Sequence, residues 1–398
     1  MDAGAIVRGA GEVKAEAVVV GGGLAGSGAA IQLARAGRDV VLIEREAQAQ
    51  HKVCGEFLSR EALRYLELLG IDVAGLGAVP IDAVRLAGRS DVNEATLPFL
   101  AMSLTRRRLD EELLALAVAT GVRVVRGGRV QGFAREGSGW CAAVEGAEPV
   151  SAEAAFLATG KHDVRGRARP KGKQSELVAF KMYWRLAPEQ AAALEGHVEL
   201  MLYRGGYAGL QPEEDGVANL CCLVERTELQ RLGGRWEHLL AAMQQQCGLL
   251  RERLQDAQAM LEKPLAVSSI PYGYVRARNE SQSDGVWALG DQAAVIPSFT
   301  GDGMSIALHS GCLAAAMYLR GETAEQFQGR LHSELSKQVL LATTISRGLV
   351  WAPSRRVFGV AVSLWPGVLG VVARATRVSE AAMLGVGVAE RFSTCFGA

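Results

Sequence analysis

No C-x-x-C pair occurs among the seven cysteines of this 398-residue chain, and their number is odd. That spacing argues against a disulfide framework and a zinc site, and makes a reducing compartment, the cytoplasm, the expected setting. Charge of one sign is also lacking: 43 Lys and Arg balance 43 Asp and Glu. Bulk electrostatics therefore recruits neither nucleic acid nor an anionic bilayer. Residues 1–14 hold Asp2, Arg8, Glu12 and Lys14 and no apolar run, so they read as a loose tail and not as a secretion signal. Near the other end, Val357 to Ala373 lacks charge but is broken by Pro366-Gly367. Two short buried helices fit this stretch better than a membrane span, with peripheral membrane contact as the alternative. Glycine, in contrast, is plentiful at 47 residues, and its placement is informative.

The run Val18-Val19-Val20-Gly21-Gly22-Gly23-Leu24-Ala25-Gly26 leads from a buried strand into an Ala-rich helix. A second strand, Val40-Val41-Leu42-Ile43, ends in Glu44 and Arg45. In a dinucleotide site each glycine of this pattern has a task. Gly21 allows the tight turn, Gly23 lets a pyrophosphate approach the backbone, and Gly26 lets helix and sheet pack closely. The helix N-terminus at Leu24 and Ala25 offers N–H groups to the phosphates, and Glu44 accepts hydrogen bonds from the ribose hydroxyls.

A second nucleotide signal follows far along the chain: Val286-Trp287-Ala288-Leu289-Gly290-Asp291, then Pro297, then Thr300-Gly301-Asp302-Gly303-Met304 and another Ala-rich helix. A strand ending in Gly290-Asp291 presents a carboxylate to a chain of hydroxyls. The turn before the helix aims N–H groups at an electron-rich group. FAD needs both, through its ribityl chain and the ring edge that gains negative charge on reduction.

Gly290-Asp291 with Pro297 and Gly301-x-Gly303 resembles the flavin signature of the FAD-dependent hydroxylase superfamily, whose prototype is p-hydroxybenzoate hydroxylase. Lys52-Val53-Cys54-Gly55-Glu56-Phe57 and Phe299-Thr300-Gly301-Asp302-Gly303-Met304 most resemble its geranylgeranyl-reductase-like branch. The resemblance implies an α/β fold in which a Rossmann-like FAD-binding domain (15–173 and 276–325) is interleaved with an antiparallel-sheet substrate domain (174–275), followed by a helical C-terminal region (326–398). It further places Arg106 at the FAD phosphates or ribityl chain, Val130 at the adenine, Thr159-Gly160 beside the pyrophosphate, and Cys54-Gly55 at the flavin ring. The family hydroxylases carry Asp-Gly where this chain has Thr159-Gly160, which weakens the case for NADPH as direct donor. NAD(P)H binding transiently, or an electron-donor protein, stays open.

Between Gln174 and Tyr274 the pattern becomes alternating strands, which predicts a sheet roofing the flavin. Tyr183, Tyr203, Tyr207, Leu210 and Pro212 are the expected pocket residues for an apolar small molecule. Gly209 and Leu210 stand where the reductase branch carries large aromatics. No catalytic residue is assigned: Cys54 reads as a small residue under the ring, and a base role for His162 or His309 is the minority reading. The eroded aromatic strand tilts the expectation toward a flavin monooxygenase. A carbon–carbon double-bond reductase is the alternative, and a flavin-binding protein without catalysis is the third.

Overall fold

The computed structural model describes residues 12–89, 91–278, 280, 285–351, 362, 364, 365 and 367–388. The first unit is laid down by β1 (Val13–Val20), α1 (Leu24–Arg35) and β2 (Val40–Glu44). After it come β3 (Phe57–Leu58), α2 (Arg60–Leu69), β4 (Val79–Ala87), β5 (Val92–Ser103) and α3 (Arg106–Ala119). Strands β6 (Arg123–Arg126), β7 (Val130–Glu136), β8 (Gly139–Val144) and β9 (Val150–Leu157) complete the N-terminal half.

These strands form a sheet in the order β6-β2-β1-β9-β8-β7. Strand β1 lies between β2 and β9 and is parallel to both. Its residues Ala17, Val18 and Val19 are wholly buried, as expected for a parallel strand covered on both faces. Strand β1 takes in the last residues of the expected tail: Val13 and Lys14 already pair with Val150 and Ser151, and Val13 packs in the cluster around Val150. Strand β9 changes partner along its length. Ala152 pairs with β8, while Phe156 and Leu157 pair in parallel with Trp287 and Ala288.

A second, larger sheet holds β10 (Leu177–Arg185), β11 (Gly196–Tyr203), β12 (Gly206–Glu213) and β13 (Val217–Glu225). It also takes β4, β5 and β3, in the order β10-β13-β12-β11-β4-β5-β3. The sheet is thus not confined to 174–275. The strands β4 and β5 come from within the first FAD-binding stretch, because Val84 and Leu86 alternate onto the same apolar cluster as Leu202 and Tyr207. On its far face, helices Trp236–Gln246 and Gly248–Arg253 cover a cluster built on Met182, Met201, Ala208 and Leu220. The near face looks toward β1 and the long helices Gly303–Leu319 and Ala324–Val350.

Candidate functional site

The glycine turn after β1 is held by backbone geometry. Gly21 has φ +107°, and a Cβ there would collide with the Ala158 carbonyl. A side chain on Gly26 would strike the Gly21 carbonyl oxygen, so the start of α1 can lie against the strand only with glycine there. No side chain caps α1 at Gly23, so its first N–H groups stay available to an anion. The space above Gly23 is bounded by two cations, Arg106 Nη2 and Lys52 Nζ, 3.4 and 3.8 Å from where a Cβ would stand. Both pair with one buried carboxylate: Lys52 Nζ lies 2.5 Å and Arg106 Nε 2.9 Å from Asp110. Burial opposes ionisation of Asp110, yet Arg106 and Lys52 carry its carboxyl below the usual range. Two positive charges on one negative leave a surplus cation at the floor of the cleft, as a pyrophosphate requires.

Glu44 is oriented in advance. Its Oε2 accepts the Gly22 N–H at 2.6 Å and its Oε1 the Glu46 N–H at 3.0 Å. Arg45, beside it, pairs with Glu46 at 2.7 Å. Glu44, Arg45 and Val130 line one end of the cavity.

The second glycine turn reaches the first through β9. Leu289 N–H donates to Leu157 O and Ala158 N–H to Val20 O, both at 2.8 Å. Gly290, at φ +56°, is fixed by Ser310 Oγ, which accepts its N–H at 2.8 Å. Arg169 donates to the Asp291 carbonyl oxygen at 2.6 Å, and Gln292 Nε2 to Gly160 O at 2.8 Å, tying this turn to the Thr159-Gly160 loop. Gly301, at φ +67°, sits on the Phe57 ring, and nothing lies within 4 Å of a Cβ built on Gly303. The Gly303–Leu319 helix also lacks a side-chain cap.

Glu44 and Asp291 therefore face one cavity of about 1170 Å³, larger than the 300–1,000 Å³ usual for a single small ligand. Residues 14–158 match the model of the FAD binding domain family. FAD is the cofactor, and the protein is an FAD-dependent oxidoreductase with the α/β fold of such flavoproteins. The chain is 26% identical to menaquinone reductase of Mycolicibacterium smegmatis over 77% of each chain. It is 27% identical to digeranylgeranylglycerophospholipid reductase 2 of Methanopyrus kandleri over 75% of each. A flavin-dependent brominase has the same fold, with a TM-score of 0.75 at 18% identity over 94% of this chain and 98% of that one.

Most of the residues expected at the flavin line this cavity: Gly21, Gly23, Leu24 and Ala25, Cys54 and Gly55, Arg106, Thr159 and Gly160, and Gly290, Asp291, Gly301, Gly303 and Met304. Three do not. Gly26 acts from behind, by letting α1 approach. Pro297 turns its carbonyl to the Thr300 hydroxyl. Asp302 is wholly buried on the other side, where it accepts a hydrogen bond from Gln338 Nε2 at 2.8 Å and faces Arg377 at 3.5 Å.

On the roof, only Tyr207 of the five expected pocket residues lines the cavity. The hairpin between β11 and β12 pairs Leu202 with Tyr207 and Tyr203 with Gly206. Directly paired residues share a face, so Tyr207 joins Leu202 over the cavity while Tyr203 turns to the helical cluster. Leu210 packs in that same cluster. Pro212 has its parity, and Tyr183 is turned aside toward Glu56. The flavin-facing side of the sheet is instead apolar through Val84, Leu86, Val198, Leu200 and Leu223. The C-terminal stretch falls partly outside the described residues. What is described of it is buried only in part: Val362 and Leu369 are buried, and helix Gly367–Ala375 sends Leu369, Val372 and Ala373 to the cavity wall, while Val371, Leu364 and Trp365 are exposed. His309 lies away from the cavity between Tyr65 and Glu334, whereas His162 lines it.

Sequence reasoning missed a polar cluster next to the Cys54-Gly55 loop of the cavity. Glu56, wholly buried with φ +61°, forms an ion pair with equally buried Lys181 at 2.6 Å. It accepts the Arg106 N–H at 2.6 Å, the Tyr183 hydroxyl at 2.8 Å and Asn219 Nδ2 at 3.1 Å. The available signal was Lys181, the one charge inside the apolar run Leu177–Trp184.

Proposed function

We propose that the protein saturates a carbon–carbon double bond in a long apolar substrate. The observation that carries this reading is the meeting of the sheet-lined apolar arm of the cavity with the Glu56–Lys181 cluster beside the Cys54-Gly55 loop. FAD, when reduced, supplies a hydride; saturation also needs a proton, and Glu56 is the buried acid that lines this cavity. The apolar wall binds the chain, excludes water and holds the reacting carbons in place. Similarity to two reductases over three quarters of the chain supports the same reading. The test is anaerobic. Chemically reduced holoenzyme is mixed with a polyprenyl quinone or a geranylgeranyl lipid, and flavin reoxidation and a product two hydrogens heavier are expected. A flavin that reoxidises only with O2, giving a product that gains oxygen, would overturn it.

That second outcome defines the other reading, a flavin monooxygenase. Gly209 favours it: it faces the cavity with only Leu200 Cδ2 near, at 3.8 Å. The roof there has room for a ring-shaped substrate, and oxygenation asks for few catalytic side chains.

A peripheral membrane contact fits an apolar substrate. Trp351 and Trp365 are 65% and 60% exposed, and helix Gly367–Ala375 bears apolar side chains on both its cavity face and its outer face. Between Glu334 and Glu380 the sequence holds Lys337, Arg347, Arg355, Arg356, Arg374 and Arg377 and no acid, a composition suited to anionic lipid. Binding to anionic vesicles that falls with Trp365→Ser is expected in cosedimentation; no binding would remove this part.

A further inference from the structure

The cluster at Glu56 contains more than an ion pair. Glu213, also buried, accepts Gln211 Nε2 at 3.0 Å and Asn219 Nδ2 at 3.3 Å on its Oε1, while its Oε2 has no partner. Asn219 Nδ2 thus lies between the two carboxyls, 3.1 Å from Glu56 Oε2. On the other side, the Tyr183 hydroxyl stands between Glu56, at 2.8 Å, and His51 Nδ1, at 3.2 Å. Glu56 and His51 both line the cavity, whereas Glu213 does not.

Two buried carboxyls face one ammonium. Arg106 also feels the Glu56 charge, but its guanidinium and Lys52 are paired with Asp110. Like charges this close cannot both ionise in a dry site, so the pair retains a proton. Burial raises both carboxyls, and the retained proton belongs to the pair: with Glu56 ionised its charge lifts Glu213 well above the ordinary value, and with Glu213 ionised the proton sits on Glu56. Burial together with Lys181 lowers His51 to about 4, so its ring is neutral near pH 7 and can accept a proton on one nitrogen while releasing one from the other. Other groups around the cluster are Cys54 on the loop, Arg106 and Arg107 at the start of α3, Lys161, Cys221 on β13 and Glu214 after β12.

We propose that Glu56 delivers a proton to the substrate in this cavity and is recharged through Tyr183 and His51, with Lys181 as a positioning residue. The inference rests on the double-bond reductase reading. In the step, the Glu56 O–H bond breaks and a C–H bond forms at the carbon adjacent to the one that takes the hydride. The carboxylate left behind takes the Tyr183 hydroxyl proton, Tyr183 takes the proton on His51 Nδ1, and water restores a proton at Nε2. One proton crosses in total, and the electrons come only from the reduced flavin. Lys181 Nζ, 2.6 Å from Glu56 Oε2 and 4.4 Å from the Tyr183 ring centroid, fixes both members of the chain. The inner part of the chain excludes bulk water, so the proton has a defined path.

Two readouts test this. Infrared spectra of holoenzyme with labelled glutamate, recorded between about pH 5 and pH 9, should show a protonated-carboxyl band. It should be lost in Glu213→Gln and shift in Lys181→Met. Absence of such a band in the wild type, or a band unchanged in Glu213→Gln, overturns the shared proton whatever the reaction proves to be. The second readout is solvent deuterium in the saturated product. Tyr183→Phe, which keeps the ring, should bind FAD normally but deliver deuterium about 100-fold more slowly. His51→Asn should be slowed with it, while the anaerobic hydride step keeps its rate. Wild-type deuterium delivery in Tyr183→Phe overturns the path. If the wild type makes no saturated product, the function reading fails instead, and the infrared result still decides the cluster.

Discussion

Asp302 offers a measurable consequence of burying a carboxyl beside the flavin turn. It is wholly inaccessible, and burial outweighs Arg377 at 3.5 Å, lifting its pKa from 3.8 to about 7. The rise is about three units, which at about 1.36 kcal/mol per unit is on the order of 4 kcal/mol. The sign follows from proton binding: between pH 4 and pH 7 the folded chain keeps a proton that the unfolded chain has released. Stability from this group is therefore greatest in acid and is lost as the pH rises from about 4 to about 7. Asp302→Asn removes the titration while keeping an oxygen to accept from Gln338. Urea midpoints of the wild type and Asp302→Asn, taken at intervals from about pH 4 to pH 8, should diverge. The variant should gain relative stability with rising pH, less whatever Arg377 loses with its partner. Parallel profiles would show that Asp302 ionises normally and refute the argument.

Other outcomes follow from the same geometry. Asp291→Ala should lower flavin retention through loss of ribityl hydrogen bonds, read as flavin absorbance per protein after gel filtration; wild-type occupancy would count against its role. Gly209→Trp should fill the roof over the cavity, raising KM for a bulky substrate severalfold while the flavin stays bound. An unchanged KM would place the substrate elsewhere. Gly26→Ala should force α1 off the strand, because its Cβ meets the Gly21 carbonyl; overpacking of this kind costs about 1–3 kcal/mol, and an unshifted Tm would be the contrary result.

The flavin end was legible in the sequence because its residues act through local backbone geometry. Gly21, Gly23 and Gly26 mark a turn whose demands are met within a few residues, and Glu44 and Gly290-Asp291 end strands whose apolar runs are short and continuous. The roof was less legible. Tyr203 and Tyr207 are four apart, which on one continuous strand would put them on one face. The turn at Arg204-Gly205 reverses the chain between them, and the register Leu202 to Tyr207 sends them to opposite faces. No local signal carries that parity. Strands β4 and β5 were missed for a similar reason, since β4, which carries β5 beside it, joins the sheet through β11 far along the chain, with Ile81 paired to Gly196. The acid cluster was missed because Glu56 gains its role from Lys181, Tyr183 and Asn219, which meet it only in the folded sheet.

The exchange of neighbours along β9 has a consequence for biosynthesis. Its first half is occupied by a hairpin made just before it, but its second half waits for Trp287 and Ala288. A nascent chain that has passed β9 already owns the adenosine-binding turn, yet nothing stands opposite it until Gly303 has left the ribosome. Coenzyme capture thus waits for synthesis of the second glycine turn, and an amino-terminal fragment ending at residue 173 should emerge colourless.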